Sequence, residues 1–430
     1  MTLKRDFAIG QLTSISAYRD ASTVATLDDD AWEVPVQHLL DWSEQQEQIS
    51  QEIRLNGDAG RFGYLVGGYF LHQQTDSVRS VASVLGQLQV EGEVSSQYTA
   101  AFTNLSYEFT PRLKGELGLR YTHESKDLDS YTQDGGGVLL TFQTDDHRSE
   151  GGLTPSASLS FEANDQVTVF TRYAQGYKSG GFNVDIVTSP TLADIAFDDE
   201  RTDTYEIGAK TRWLDGRLKV DLTAFHTTFD DLQVSQFEVL SGAVLPTLRI
   251  TNAASAHTQG FEANVELILD KWLFTTQIGY ANSEVDDFPD PLGPGSGNWK
   301  GSSLGGPQWT TSLLAQYATN IGNRADLTVT AEHLYQDAVG GDLNDDPRNI
   351  SDDLSLTNLS IALAFGKNRQ WRTRLWVNNA FDTESVVERR QNPAAGILAL
   401  IGMPVEILDS TVGMYNMPRA YGLEVAFRLE

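Results

Sequence analysis

The 430 residues contain no cysteine. That removes disulfide frameworks, thiolate metal sites and cysteine nucleophiles. No run approaches 18 apolar residues, although 40% of the chain is hydrophobic, so a transmembrane helix is excluded. Strands are not excluded, because a barrel strand needs only about ten residues with every second one apolar. Positive charge is scarce: 31 Lys and Arg stand against 59 Asp and Glu, a formal charge of −28. A field of that sign makes nucleic acid a poor partner. Met1-Thr2-Leu3-Lys4-Arg5-Asp6 runs straight into a strand pattern. No apolar core or small-residue cleavage site precedes it, so no signal peptide is read here.

Catalytic patterns are also lacking. The seven histidines are dispersed, and none has the spacing of a helical metal pair. No nucleophile elbow is present, and Gly293-Pro-Gly-Ser-Gly297 lacks the lysine of a phosphate loop. Asp342-Leu-Asn-Asp-Asp346 could ligate calcium, but it lacks the glycine and the terminal glutamate of the helix–loop–helix pattern. The reading is of a non-enzyme without a cofactor.

What the chain does have is about 16 amphipathic strand-like segments joined alternately by tight turns and long polar loops. The tight turns fall near Gly57–Gly60, Thr110–Arg112, Asn164–Gln166, Asp215–Gly216, Asp270–Lys271, Gly322–Arg324 and Gly366–Arg369. The long loops lie roughly at 21–44, 77–94, 128–150, 180–201, 232–257, 285–306, 338–351 and 386–415, and most of the acids collect in them. A soluble sandwich has no reason to gather every long loop at one end. A membrane barrel does, with short turns on the periplasmic side and long loops outside. No linker divides the chain, so residues 1–430 read as one domain or a piece of one.

Parity supports the membrane. Tyr205, Ile207, Ala209, Thr211 and Trp213 share one face, and Glu206, Gly208, Lys210 and Arg212 the other. The charged face suits a wet or plugged lumen. Two aromatics eight residues apart span roughly 26 Å along a strand, or on the order of 20 Å of membrane normal at a tilt of about 40°. Trp309, Thr311, Leu313, Ala315 and Tyr317 repeat that spacing.

Several stretches then resemble the TonB-dependent outer-membrane receptors. They are Tyr173-Ala-Gln-Gly-Tyr-Lys-Ser-Gly-Gly-Phe-Asn183, Thr204-Tyr-Glu-Ile-Gly-Ala-Lys-Thr-Arg-Trp-Leu-Asp-Gly-Arg-Leu218, Asp230-Asp-Leu-Gln233, Gly260-Phe-Glu262 and Val377-Asn-Asn-Ala-Phe-Asp382. They occur in family order from about residue 7 onwards. The resemblance implies an all-β antiparallel meander, a transmembrane barrel with about 16 strands present of about 22. It implies the C-terminal barrel portion without the plug, incompletely closed, with the strand near residues 7–19 lacking its neighbour. It also implies energy-dependent uptake of a scarce ligand, most often a ferric siderophore. The implied partners are outer-membrane lipid, the TonB energy-transducing complex and the ligand, for a monomer in the outer membrane. Tyr177, Lys178 and Asn183 are the candidate ligand contacts. Gly176, Gly180 and Gly181 are expected to supply unusual backbone angles where the strand leaves the wall. The alternative is a complete 16-strand diffusion porin.

Overall fold

The computed structural model describes residues 1–28, 37–83, 86–135, 141–185, 195–238, 247–289, 297–340, 343, 346–391 and 411–428. The wall begins with β1 (Thr2–Phe7), β2 (Gly10–Asp28), β3 (Gln37–Ala59), β4 (Phe62–Ser83), β5 (Gly86–Thr110), β6 (Leu113–Asp134), β7 (Phe142–Asn164) and β8 (Val167–Lys178). A small hairpin, β9 (Gly181–Phe182) with β10 (Ala196–Phe197), interrupts it. The wall resumes with β11 (Glu200–Trp213), β12 (Leu218–Glu238), β13 (Thr247–Leu269), β14 (Trp272–Asp287), β15 (Trp309–Ile321), β16 (Ala325–Gln336), β17 (Leu354–Phe365) and β18 (Trp371–Asn378). A second hairpin, β19 (Val386–Gln391) with β20 (Thr411–Tyr415), precedes the last wall strand, β21 (Ala420–Phe427).

Each wall strand pairs antiparallel with the next, giving one 17-stranded sheet rather than about 16 strands. All seven expected tight turns are present. An eighth, at Ala8–Ile9, divides the segment read as a single strand over 7–19. Residues 10–15 therefore do have a neighbour, in β1. Gly10 carried the signal: its φ is +135°, and a Cβ there would lie 2.2 Å from the Asn56 carbonyl oxygen. The sheet is open. Among the described residues β1 pairs only with β2 and β21 only with β18, and no register joins them.

Parity sorts the two faces as expected. Tyr205 is 54% and Ile207 65% exposed, and Trp309, Leu313, Leu117, Leu222, Ile361 and Leu375 are exposed with them. Rings in adjacent strands meet near both ends of this apolar band. At the upper end Tyr173 lies 5.1 Å from Tyr205 and Tyr280 4.9 Å from Trp309; at the turn end Trp272 lies 4.9 Å from Tyr317 and Trp371 4.6 Å from Phe427. The opposite face carries charge. Arg172 faces Glu206 at 3.5 Å and Lys219 meets Glu266 at 2.7 Å.

The expected long loops need correction. The 77–94 connection is almost all strand, with β4–β5 pairing continuing to Ser83↔Gly86. Much of 21–44, 128–150 and 232–257 is strand as well. Above the lipid the outer face no longer has to be apolar, so alternation fades while backbone pairing continues. Burial is concentrated there. Val90, Leu128, Tyr131 and Ile195 form one dry cluster, with Phe142, Phe182 and Val184 against it. Val234, Ala254, Val285 and Phe288 form another, with Trp299, Leu304 and Leu343.

Candidate functional site

The site is the outer mouth of the wall, built around the connection that leaves β8 and returns at β11. Both of its stems are tied to inward-facing charges on β6 and β7. Lys126 lies directly opposite Arg148 in register, and Glu124 opposite Glu150. The four side chains form a checkerboard. Lys126 Nζ is 2.8 Å from Glu124 Oε1 and donates to Ser179 Oγ at 2.9 Å and to the Gly180 carbonyl. Arg148 pairs with Glu150 and reaches Asp198 Oδ1 at 2.7 Å. Glu124 is 3% exposed. A carboxylate so deeply placed needs its cation, because an unpaired buried charge costs several kcal/mol, roughly.

The same stems are held from the other side. Gln233 Nε2 donates to the carbonyls of Ser179 and Asp198, each at 2.9 Å, and Asn252 Nδ2 donates to those of Asp198 at 2.7 Å and Asp231 at 3.0 Å. Glu200 accepts from the Gln233 amide at 2.9 Å. Higher up, Tyr131 donates to the Asp185 carbonyl at 2.7 Å, and Arg79 pairs with the Asp185 carboxylate.

The three candidate residues sit in this frame with distinct roles. Asn183 is 6% exposed. Its amide imitates a strand neighbour: Nδ2 donates to the Ile250 carbonyl at 3.0 Å, and Oδ1 accepts from the Ile250 amide at 2.7 Å. Tyr177 covers Gly152, lies 5.9 Å under the Arg201 guanidinium and donates to Glu150 at 3.4 Å. Burial, with Glu150 and other carboxylates nearby, holds its hydroxyl well above the ordinary tyrosine range. Lys178 is the exposed one, 3.8 Å from Glu200. The glycines serve close packing rather than unusual angles. A Cβ on Gly176 would lie 2.3 Å from Thr202 Oγ1, and one on Gly180 2.4 Å from the Phe197 carbonyl oxygen, while neither φ is positive.

Below the mouth the inner wall offers a cation between rings. Arg120 lies 5.7 Å from the Tyr69 ring and 5.6 Å from that of Phe102. This arrangement can receive flat or anionic groups without covalent chemistry. The sequence reading missed Lys126, Arg148, Glu150 and Asn252. Their inward parity was the available signal; for Arg148, Glu150 and Asn252 it was hidden by assigning 128–150 and 232–257 to loops, while Lys126 lies just before the first of these. Of the proposed calcium stretch, Asp342, Asn344 and Asp345 lie outside the described residues; Asp346 caps the turn Pro347–Asn349 and pairs with Arg348 at 2.5 Å.

The family model for a TonB dependent receptor-like β-barrel matches residues 2–380. The chain belongs to that family. This sets aside the diffusion porin. Among curated proteins, a pesticin receptor of Yersinia enterocolitica is 28% identical over 242 residues, which is 55% of this chain and 33% of the relative. Such matches span about a third of the relatives' own length. The solved ferric yersiniabactin uptake receptor FyuA of Yersinia pestis aligns with a TM-score of 0.80 at 17% identity, over 99% of this chain and 60% of that one. The siderophore receptor PiuA of Acinetobacter baumannii aligns with a TM-score of 0.71 at 18% identity, covering 63% of that chain. At such identities the likeness speaks for the fold: the wall of this TonB-dependent receptor chain follows that of a larger receptor barrel.

Proposed function

We propose that this chain is the barrel wall of an outer-membrane receptor that takes up a scarce chelate, a ferric siderophore or similar metal complex, in an energy-dependent way. Residues 1–430 are one wall unit in this reading. Further strands cover the edges at β1 and β21, because each unpaired backbone group in hydrocarbon costs several kcal/mol, roughly. A plug fills the lumen, and the TonB complex supplies the force that moves it. The outer mouth captures the ligand, with Tyr177, Lys178 and Asn183 shaping the rim where it first lands. No bond is made or broken, so no residue is catalytic.

The observation that carries the reading is the division of the wall. Its outside is an apolar band bounded by rings, and its inside is charged up to the tied stems of the β8–β11 connection. The names of the relatives, receptors for pesticin and for siderophores, favour an iron chelate as the cargo. The test is iron uptake. Cells grown under iron limitation should place the protein in the outer-membrane fraction, and deleting the gene should abolish uptake of at least one radio-iron siderophore. Unchanged uptake across a panel of siderophores, with expression indifferent to iron, would sink the iron reading.

A further inference from the structure

Most strand glycines in this wall have a visible reason. A Cβ on Gly67 would lie 2.5 Å from the Phe102 ring, on Gly118 2.4 Å from Ser156 Oγ, and on Gly208 2.5 Å from Phe170. Gly68 has none. Its φ is not positive, and an added Cβ would meet nothing closer than the Ala100 carbonyl oxygen, at an ordinary 3.7 Å. Of the strand glycines whose surroundings are described, it is the one with that much room. A glycine inside a strand is unfavourable by roughly 0.5–1 kcal/mol relative to alanine, and one that the fold does not require marks a place where something else approaches the backbone.

Gly68 lies on the membrane-facing side, in the register row Ile53–Gly68–Ala101–Tyr121. Ile53 and Tyr121 are exposed outward. With only Gly68 and Ala101 between them, the row opens into a notch of about 480 Å³. The row below is apolar apart from Thr103: Leu55, Val66, Thr103, Leu119. The row above is Gln51, Phe70, Thr99 and His123, where the outer face turns polar. Gln51 is occupied by Ser14 and Ser16, but the His123 ring has no hydrogen bond within the described residues. The notch, lined by Ile53, Gly68, Ala101 and Tyr121, thus sits above an apolar row and has Gln51, Thr99 and His123 along its upper edge, at the height of the outer aromatic belt.

We propose that this notch seats one acyl chain of a bilayer lipid, with the ester or amide linkage at its head meeting Thr99 and His123. The site is continuous with the lipid-facing band, and hydrocarbon must fill a gap that the chain leaves open. Gly68 supplies the depth, Ile53 and Tyr121 the sides, and His123 a donor at the height where an acyl linkage lies. The proposal rests on the sidedness of the wall and not on the identity of the transported ligand.

The test is native mass spectrometry of the full chain, extracted in mild detergent from vesicles of phosphatidylethanolamine and phosphatidylglycerol. The wild type should keep one phospholipid per chain. Gly68→Leu fills the notch, and its lipid-bearing fraction should fall about tenfold, the loss expected when two methylene groups lose their seat. Ala101→Leu fills the notch from the neighbouring strand and should act alike, so the test survives if one variant misfolds. Ala224→Leu, elsewhere on the same face, should behave as wild type. Equal retention by all four proteins would overturn the proposal, and so would a wild type that emerges as a lipid-free dimer.

Discussion

Placing a cation at Ile207 tests the sidedness on which every other reading depends. Ile207 is two residues below the Tyr205 ring, flanked by Thr171 and Ala224. Two residues make ~7 Å along the strand and ~5 Å of depth at a tilt of ~40°. Half of the apolar band is ~12 Å, so the site lies a little under halfway to the midplane. An arginine or lysine at the midplane costs ~2–4 kcal/mol and at the interface ~0–1. We therefore expect Ile207→Lys to cost ~1.5–2 kcal/mol, the interpolation on that scale. The matched control is Thr223→Lys, on the next strand but facing inward between Gly208 and Glu262. It should change stability by no more than ~0.5 kcal/mol, as for a wet surface. Both are read by guanidinium titration of the protein folded into lipid vesicles, followed by tryptophan fluorescence. Equal costs at the two positions, or a larger cost at Thr223, would mean that the assigned faces are wrong.

Other outcomes follow from the mouth. Lys126→Met strands the Glu124 carboxylate and should destabilise the collar by ~3 kcal/mol; adding Glu124→Gln should recover much of that, and protease nicking around Ser179 reports both. Asn183→Ala leaves the Ile250 amide and carbonyl unpaired at ~1–3 kcal/mol each, so the Ile250 amide should exchange markedly faster while amides of β14 do not change. The Arg348 side chain, and then its backbone amide, hold the Asp346 carboxyl below its ordinary value. Its contribution to the 347–349 turn is therefore complete at neutral pH and is lost only as pH falls through that lowered value. A carboxyl carbon titration should show this, and Arg348→Ala should move the midpoint up towards ~3.9.

The parts of the fold legible in the sequence are those that lipid constrains. Where the outer face must be apolar, alternation marks strands such as Tyr205–Trp213, and Asp215–Gly216 or Asp270–Lys271 marks the turns. Above the lipid that constraint ends. Gln87, Gln89, Glu91 and Glu93 look like loop residues, yet they lie in β5 because backbone pairing does not depend on what the side chains face. The same loss hid Arg148 and Glu150. The β1–β2 turn was missed for another reason: Phe7 and Ile9 continue an apolar pattern, and only Gly10 betrays the break. Asn183 was singled out through family resemblance, but its pairing with Ile250, 67 residues away, has no local signature.

The length of β5 has a consequence for encounter. Its 25 residues extend ~80 Å, or ~60 Å along the membrane normal at a ~40° tilt, while the lipid band takes only ~25 Å. By that geometry some 35 Å of β5 stands clear of the bilayer, and the long strands β2–β7, β12 and β13 make one tall side of the wall while β15–β18 stay short. In the function proposed above, a solute would meet this tall charged side of the wall long before it nears the hydrocarbon, and its remaining search would be a descent along it rather than a hunt across the cell surface.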